Sequence, residues 1–484
     1  MARDAAAQET LTPDLCVVGA GSGGLSVAAG AVQMGASVVL VEGGEMGGDC
    51  LNYGCVPSKA LIAAAKRAHA MGAGAAFGVA PVAPQIDFAA VMAHVQGVID
   101  GIAPHDSQAR FEGLGVHVIR DWARFLSPRE VAAGGCTIRA RRFVIATGSS
   151  PAVPPIPGLA ETPFLTNETV FALDAPPRRL LILGAGPIGV ELGQAFRRLG
   201  VEVELIEAGR ALGRDDPEAT AVVLEALRGE GVEIRQGVRV AAAAAAPEGV
   251  RLTLEGGETV EGSHLLVAAG RRPSLDRLDL AAGGVDADAD GVTVDAGLRS
   301  VSNRRVYAVG DAAGGPAGTL NFTHVAGYHA GVVIRSALLR LPAKARVDHI
   351  PRVTYADPEL AQVGPTEAEA RAALGARVSV ARFPFAENDR ARAERATAGF
   401  VKAIVGPKGR ILGATVVGKG AGEQIGLWAL AISSGLRIGA VAGMVAPYPT
   451  LSEASKRAAG AHFAPKLFGS PWVKRAVRLL AKLG

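Results

Sequence analysis

Two cysteines, Cys50 and Cys55, stand five residues apart in the run GGDCLNYGCVPSKAL, just ahead of a lysine, Lys59. Two thiols so placed can form a disulfide that takes up and gives back two electrons, provided the backbone lets the sulfurs meet. In a regular helix their α-carbons would lie roughly 8 to 9 Å apart, beyond the ~7 Å that a disulfide can bridge. The segment must therefore bend. Gly54 supplies the freedom for the bend, and Pro57 suits an early helical position whose amide hydrogen would have no partner. Cys55 then sits near a helix start, where the dipole and Lys59 favour a thiolate. A cysteine pair can also be half of a zinc cage, but no second pair exists to complete one, so no metal ligand set is assigned. Cys16 falls in an apolar strand-like run and Cys136 in a further strand-like run, and the chain has four cysteines in all.

The elements around this dithiol read as a nucleotide-binding frame. DLCVVGAGSGGLSVAAGAVQMGASVVLVEGG is strand, glycine turn, helix, strand, with Gly19, Gly21 and Gly24 in G-x-G-x-x-G. Missing side chains there permit a tight turn, backbone approach to a pyrophosphate and close helix packing. Glu42 ends the second strand, eighteen residues after Gly24, where a carboxylate can accept hydrogen bonds from a ribose. The pattern recurs in RRLLILGAGPIGVELGQAFRRLGVEVELIEAG, with Gly184, Gly186, Gly189 and, again eighteen residues on, Glu207. Two such sites beside a dithiol imply two dinucleotides, one delivering hydride and one relaying electrons to sulfur. The first fingerprint lies close to the cysteines, so a flavin belongs there and a nicotinamide at the second. Glu207 would bond a free 2′-hydroxyl and repel a 2′-phosphate, which favours NADH over NADPH. Arg210 and Arg214, just beyond, could reach a phosphate or be solvated surface charge. In RRVYAVGDAAGG, Gly310 and Asp311 end another strand, placing a carboxylate where ligands bind in open α/β sheets, with a ribityl hydroxyl as a partner.

At 484 residues the chain has room for about three domains, and its 49% hydrophobic and 20% charged residues are those of a globular protein. A formal charge of +4 does not imply nucleic acid. The first residues lack a secretory pattern and no apolar run reaches a membrane span, so a cytoplasmic protein is expected.

With GGDCLNYGCVPSK, both fingerprints, ATGSSP from Ala146, AAGRRP from Ala268 and VGD at Val309 in this order, nearly the whole chain resembles the class I pyridine nucleotide-disulfide oxidoreductases, which include dihydrolipoamide dehydrogenase, glutathione reductase and mercuric reductase. The resemblance implies an α/β fold with two Rossmann-like dinucleotide-binding domains and a C-terminal α+β dimerisation domain. It places a discontinuous FAD domain at 1–155 and 281–348, an NAD(P) domain at 156–280, and a dimer-interface domain at 349–469. By the same resemblance FAD is tightly bound, one per chain, and the protein is a homodimer. Thr147, Gly148 and Gly270 join the glycine motifs as cofactor-binding positions. Cys55 faces the flavin in a charge-transfer contact and Cys50 exchanges with substrate. Lys59 lies near the flavin and pairs with Glu191, where a buried lysine would need a partner; otherwise both are surface helix residues.

The pattern breaks near the C-terminus. Lipoamide and glutathione enzymes carry a histidine before a proline, with a glutamate five residues later to orient it. Here the run is APYPTLSEA, with Tyr448 in the histidine place and Glu453 retained. A phenol has a reference pKa near 10, raised further by a carboxylate, so Tyr448 is expected to donate a hydrogen bond, or merely to pack, rather than act as a base. Tyrosine here, and ENDRARAE at Glu387 to Glu394, resemble mercuric reductase, yet no cysteine follows Cys136 to receive a metal ion. The expected activity is NADH-driven reduction of a disulfide or soft-metal acceptor, the alternatives being dihydrolipoamide dehydrogenase or a low-turnover redox-responsive metal-binding or membrane-docking flavoprotein. Beyond the usual family end, residues 470–484 read as a basic amphipathic helix. Trp472, Val473, Val477, Leu479, Leu480 and Leu483 share one face, opposite Lys474, Arg475, Arg478 and Lys482. Such a helix could lie on an anionic membrane or pack on its own dimer.

Overall fold

Both glycine fingerprints close the carboxyl end of a strand that lies in the middle of a parallel sheet. The protein is described by a computed structural model covering residues 9–315 and 320–482. Its residues form two compact units. One holds the described residues up to Gly184 together with Ala195–Ile206 and Val238–Arg346; the other holds Ala185–Gln194, Glu207–Gly237 and the described residues from Val347 onward.

In the first unit, five parallel strands run in the order Val306–Ala308, Arg142–Ile145, Leu15–Val18, Val38–Val41, His117–Ile119. They are near-continuous apolar runs because both faces of the sheet are covered, and Leu15, Cys16, Val17, Phe143, Val144 and Ile145 are wholly buried. The chain leaves Leu15–Val18 for a neighbour on one side and later adds Arg142–Ile145 on the other, which opens a crevice at the strand's carboxyl end. Arg179–Leu183 has the same situation, flanked in parallel by Glu202–Glu207 and His264–Val267.

Two short ladders finish this unit's frame. Ser149–Pro151 pairs antiparallel with Arg271–Pro273, so the ATGSSP and AAGRRP runs, far apart in sequence, form one two-stranded ribbon. Val240–Ala246, Gly249–Leu254 and Thr259–Gly262 form an antiparallel meander.

The second unit is built on an antiparallel sheet in the order Pro351–Thr354, Glu359–Val363, Ile411–Gly418, Phe400–Val405, Ser379–Pro384. The apolar faces of helices Ala421–Ser433 and Glu453–Ala461 are buried in the core with it. Trp428 is wholly buried in that core, and its indole N–H donates to Ser455 Oγ at 3.1 Å. The expected α/β architecture with a C-terminal α+β portion is the one observed. Among the described residues no helix is long and apolar enough to cross a membrane. Trp428→Ala should lower stability by ~3 to 5 kcal/mol, read from urea unfolding of the second unit's transition; a loss below ~1 kcal/mol would show that this tryptophan does not anchor the sheet to its helices.

Candidate active site

Cys50 lies in the short helix Gly48–Asn52 and Cys55 is the first residue of Cys55–Gly72. The bend between them is the one expected at Gly54, which precedes the second helix; a Cβ there would come within 3.0 Å of the Asp49 carbonyl oxygen and 3.3 Å of Cys50 Cα. The two thiols are in hydrogen-bonding contact with each other.

The glycine turn holds this pair in place from the other side. Gly21 forms a bridge with Gly47, and a Cβ on Gly48, whose φ is +62°, would lie 2.7 Å from Gly21 Cα. Backbone thus packs directly on backbone between the first fingerprint and the dithiol helix. Gly24 closes the turn from within, since a Cβ there would fall 1.8 Å from the Gly19 carbonyl oxygen. Ser22, at the start of helix Ser22–Gln33, hydrogen-bonds Cys50, and Thr323, at the start of helix Thr323–Ala337, reaches both sulfurs, with Oγ1 3.4 Å from Cys55 Sγ. Thr323 could not be picked out from the sequence, since it is 268 residues from Cys55.

Sharing a hydrogen bond with Cys55 pushes the Cys50 thiol well above its ordinary pKa, and burial adds to this, while the Thr323 and Ser22 hydroxyls pull it down. Neighbouring thiols titrate as a pair, and the second ionisation is the costly one. The low thiol pKa expected from the helix start therefore does not extend to Cys50 while its partner sits beside it.

Beyond the dithiol, one largely buried cation, Arg271, gathers the polar groups of three motifs. Arg271 Nε donates to Ser149 Oγ at 2.8 Å and its Nη2 to the Ser149 carbonyl at 2.8 Å, while the same Nη2 lies 3.1 Å from Asp49 Oδ1. Asn167 donates to Asp49 Oδ1 at 2.9 Å. Ser149 in turn donates to Asp311 Oδ2, and Arg271 stands 3.9 Å from the same carboxylate. Burial raises the Asp311 carboxyl above the usual range, opposed by Ser149 and Arg271. Gly310, at φ +59°, turns its N–H to His329 Nδ1 at 3.2 Å. Arg271 lies within the AAGRRP run, and Asp49 directly precedes Cys50, but only the ribbon that joins their motifs brings them together.

The residues present fit two dinucleotides. Thr147 Oγ1 is buried with no hydrogen-bond partner among the described residues, as is suited to a bound polar group. A Cβ on Gly21 would meet only Gly48 Cα, at 3.9 Å, and one on Gly186 would meet nothing within 4 Å. Gly148 and Gly270 have φ of +67° and +134°. Glu42 accepts from Ala20 N and from Gly44 N, the latter at 2.6 Å. Glu207 repeats this clamp, accepting from Ala185 N at 2.9 Å and Gly209 N at 2.8 Å. Each carboxylate is fixed at the mouth of its turn with lone pairs to spare. Arg210 donates to the Gly213 carbonyl at 2.9 Å, so its guanidinium folds back on its own loop.

Lys59 donates to Ser58 Oγ at 3.4 Å, and in the second unit Glu191 is buried and accepts from Tyr355 N at 2.8 Å. Tyr448 is exposed and donates to Asp389 Oδ2 at 3.1 Å, which raises its pKa above that of an ordinary phenol. The carboxylate that meets Tyr448 is thus Asp389 of the ENDRARAE run, whereas Glu453 pairs with Arg457 at 3.0 Å.

The chain matches the family described as pyridine nucleotide-disulphide oxidoreductase over residues 13–330, and that family's dimerisation domain over residues 350–459. It is 33% identical over 451 residues to a mercuric reductase of Lysinibacillus sphaericus, spanning 92% of this chain and 82% of that protein. To a dihydrolipoyl dehydrogenase of Thermus scotoductus it is 37% identical over 462 residues, spanning 93% and 97%. Among solved structures, the Cu(II) complex of the HOCl-induced flavoprotein disulfide reductase RclA from Escherichia coli superposes with a TM-score of 0.82 at 26% identity, over 93% of this chain and 99% of that one. LpdA from Mycobacterium tuberculosis gives 0.84 at 26% identity, over 93% and 99%.

Thr323→Val should slow alkylation of the reduced protein by iodoacetamide roughly tenfold at neutral pH, the worth of one hydrogen bond to a charged group, and move the rate profile to higher pH. An unmoved profile would remove Thr323 from the thiolate's support.

Proposed function

The chain belongs to the pyridine nucleotide-disulphide oxidoreductase family, and we propose that it works as a homodimer, reducing a disulfide or soft-metal acceptor with electrons from NADH. It is a FAD-dependent oxidoreductase with a pyridine nucleotide substrate. The single observation that carries the proposal is the Cys50 and Cys55 pair, seated against the first glycine turn between two hydroxyls.

Bound FAD supplies the two-electron relay from nicotinamide to sulfur. The chain's own residues do the rest. The Gly19 to Gly24 turn and Glu42 hold one dinucleotide and Asp311 its ribityl chain, with Thr147, Gly148 and Gly270 alongside. The Gly184 to Gly189 turn and Glu207 hold the other, and Glu207 selects NADH by accepting from a free ribose hydroxyl. Lys59, with Glu191 as its counter-charge, supplies positive charge near the flavin. Two electrons and one proton break the disulfide to leave one thiol and one thiolate. Cys50 then attacks an acceptor disulfide after giving up its proton, forming a mixed disulfide, and Cys55 resolves it. The sum is NADH, one proton and one disulfide giving NAD⁺ and two thiols. The domain limits we propose are 1–155 with 281–348 for FAD, 156–280 for NAD, and 349–469 for the dimer interface.

Asp389 holds Tyr448 protonated and takes its single O–H, so this position does not shuttle the dithiol proton as a histidine would. That favours reduction of the acceptor over oxidation of a dithiol. RclA is described as a disulfide reductase and as a Cu(II) complex, which supports an acceptor of the disulfide or metal-ion class.

An acceptor screen on purified holoenzyme tests the reading. NADH loss should depend on a disulfide or Hg(II), and Cys50→Ser should cut that rate on the order of a thousandfold with FAD retained. Lipoamide or dihydrolipoamide turnover as fast as that of the best acceptor would instead make the protein a lipoamide enzyme. At the second turn, Glu207→Gln should raise the NADPH-to-NADH ratio of kcat/KM by about tenfold; an unchanged ratio would mean that selectivity lies elsewhere.

A further inference from the structure

The segment after the dimerisation domain is built for a surface that this chain does not itself provide. The family match ends at residue 459, and helix Pro471–Leu480 follows, capped by Ser470, whose hydroxyl accepts from Val473 N at 3.4 Å. Proline at its first position is the ordinary helix start. No residue of the helix is buried. Trp472 is 77% exposed, and Leu479 and Leu480 are 65% and 63% exposed. At 100° per residue, Trp472, Val473, Val477, Leu479 and Leu480 fill one face, and Lys474, Arg475 and Arg478 the other, with Lys482 just beyond. Leu483, expected on the apolar face, lies outside the described residues. The turn before it, Ala464–Phe468, adds an exposed Phe468.

Charge decides what fits this face. No acidic residue follows Glu453 in the whole sequence, while Lys466, Lys474, Arg475, Arg478 and Lys482 all do. A second copy of the same helix would bring like charges together along the flanks of the apolar stripe. An anionic lipid surface instead takes the apolar residues among its acyl chains and the cations at its phosphates. Tryptophan suits the boundary between the two. The helix lies in the surface and does not cross it, for ten residues reach only about 15 Å against a hydrocarbon core of roughly 30 Å. We propose that Pro471–Leu480 is a peripheral anchor that docks the oxidoreductase on an anionic phospholipid membrane.

Vesicle flotation of the full-length holoenzyme tests this, with phosphatidylglycerol-containing and pure phosphatidylcholine vesicles as the probes. Binding should be confined to the anionic vesicles, weaken with salt, and shift the Trp472 emission to the blue relative to a Trp472→Phe control. Each basic residue near such a surface contributes about fivefold to partitioning, so the double variant R475E/R478E should lose binding by well over tenfold. Leu480→Asp should lose it as well. Flavin content and NADH oxidation in solution serve as the folding control and should stay unchanged. The proposal fails if the wild-type protein ignores anionic vesicles, or if the variants bind as it does. It fails equally if deleting residues 470–484 leaves vesicle binding intact and converts the dimer to monomer, which would make this face an interface between copies.

Discussion

The structure depends most on one close approach of backbone to backbone, Gly48 against Gly21. With no side chain on either residue, the short helix carrying Cys50 lies directly on the first glycine turn. A methyl group at Gly48 would stand 2.7 Å from Gly21 Cα, and neither partner is a side chain that could swing aside. Since Ser22 follows Gly21 and begins the next helix, the same contact delivers its hydroxyl to Cys50. The shape of the glycine turn and the placement of the Cys50 thiol are therefore set by a single packing event.

Around that contact the protein must keep two carboxylates next to a site that works through thiolates. Asp49 adjoins Cys50 in the chain and Asp311 ends the neighbouring strand, and negative charge at either opposes ionisation of sulfur. Arg271 offsets both, at 3.1 Å and 3.9 Å, from a largely buried position. Its five donors suit it to bind Ser149 and Asp49 together, which a lysine's compact charge would not do. A buried cation that lost these partners would itself be costly, so each member of the network keeps the others in place.

How much was legible follows from sequence distance. The glycine turns, Glu42 and Glu207 belong to single strand-turn-helix-strand units, and their clamps close within 22 residues, so spacing alone located them. The Cys50 to Cys55 bend was readable for the same reason, through Gly54 and Pro57. Thr323, Arg271, Ser149 and Asn167 were not, because their partners come from strands and helices more than a hundred residues away, and a serine or threonine at a helix start carries no mark of its target. Glu453, read from its place in the motif, starts the helix Glu453–Ala461 and meets Arg457 one turn on, and its charge adds to that of Asp389 in raising the Tyr448 phenol.

Tyr448 also bears on direction. In a dithiol enzyme that runs toward oxidation of its substrate, a base must take protons near neutrality, and an imidazole does so because its two forms are close in energy there. A phenol held by Asp389 stays protonated across that range. Its one O–H is committed to Asp389, which leaves only the lone pairs of its oxygen for a further partner. A tyrosine here thus supplies no base near neutrality, and in the reductive direction proposed above the protons needed by the released thiols would come from water.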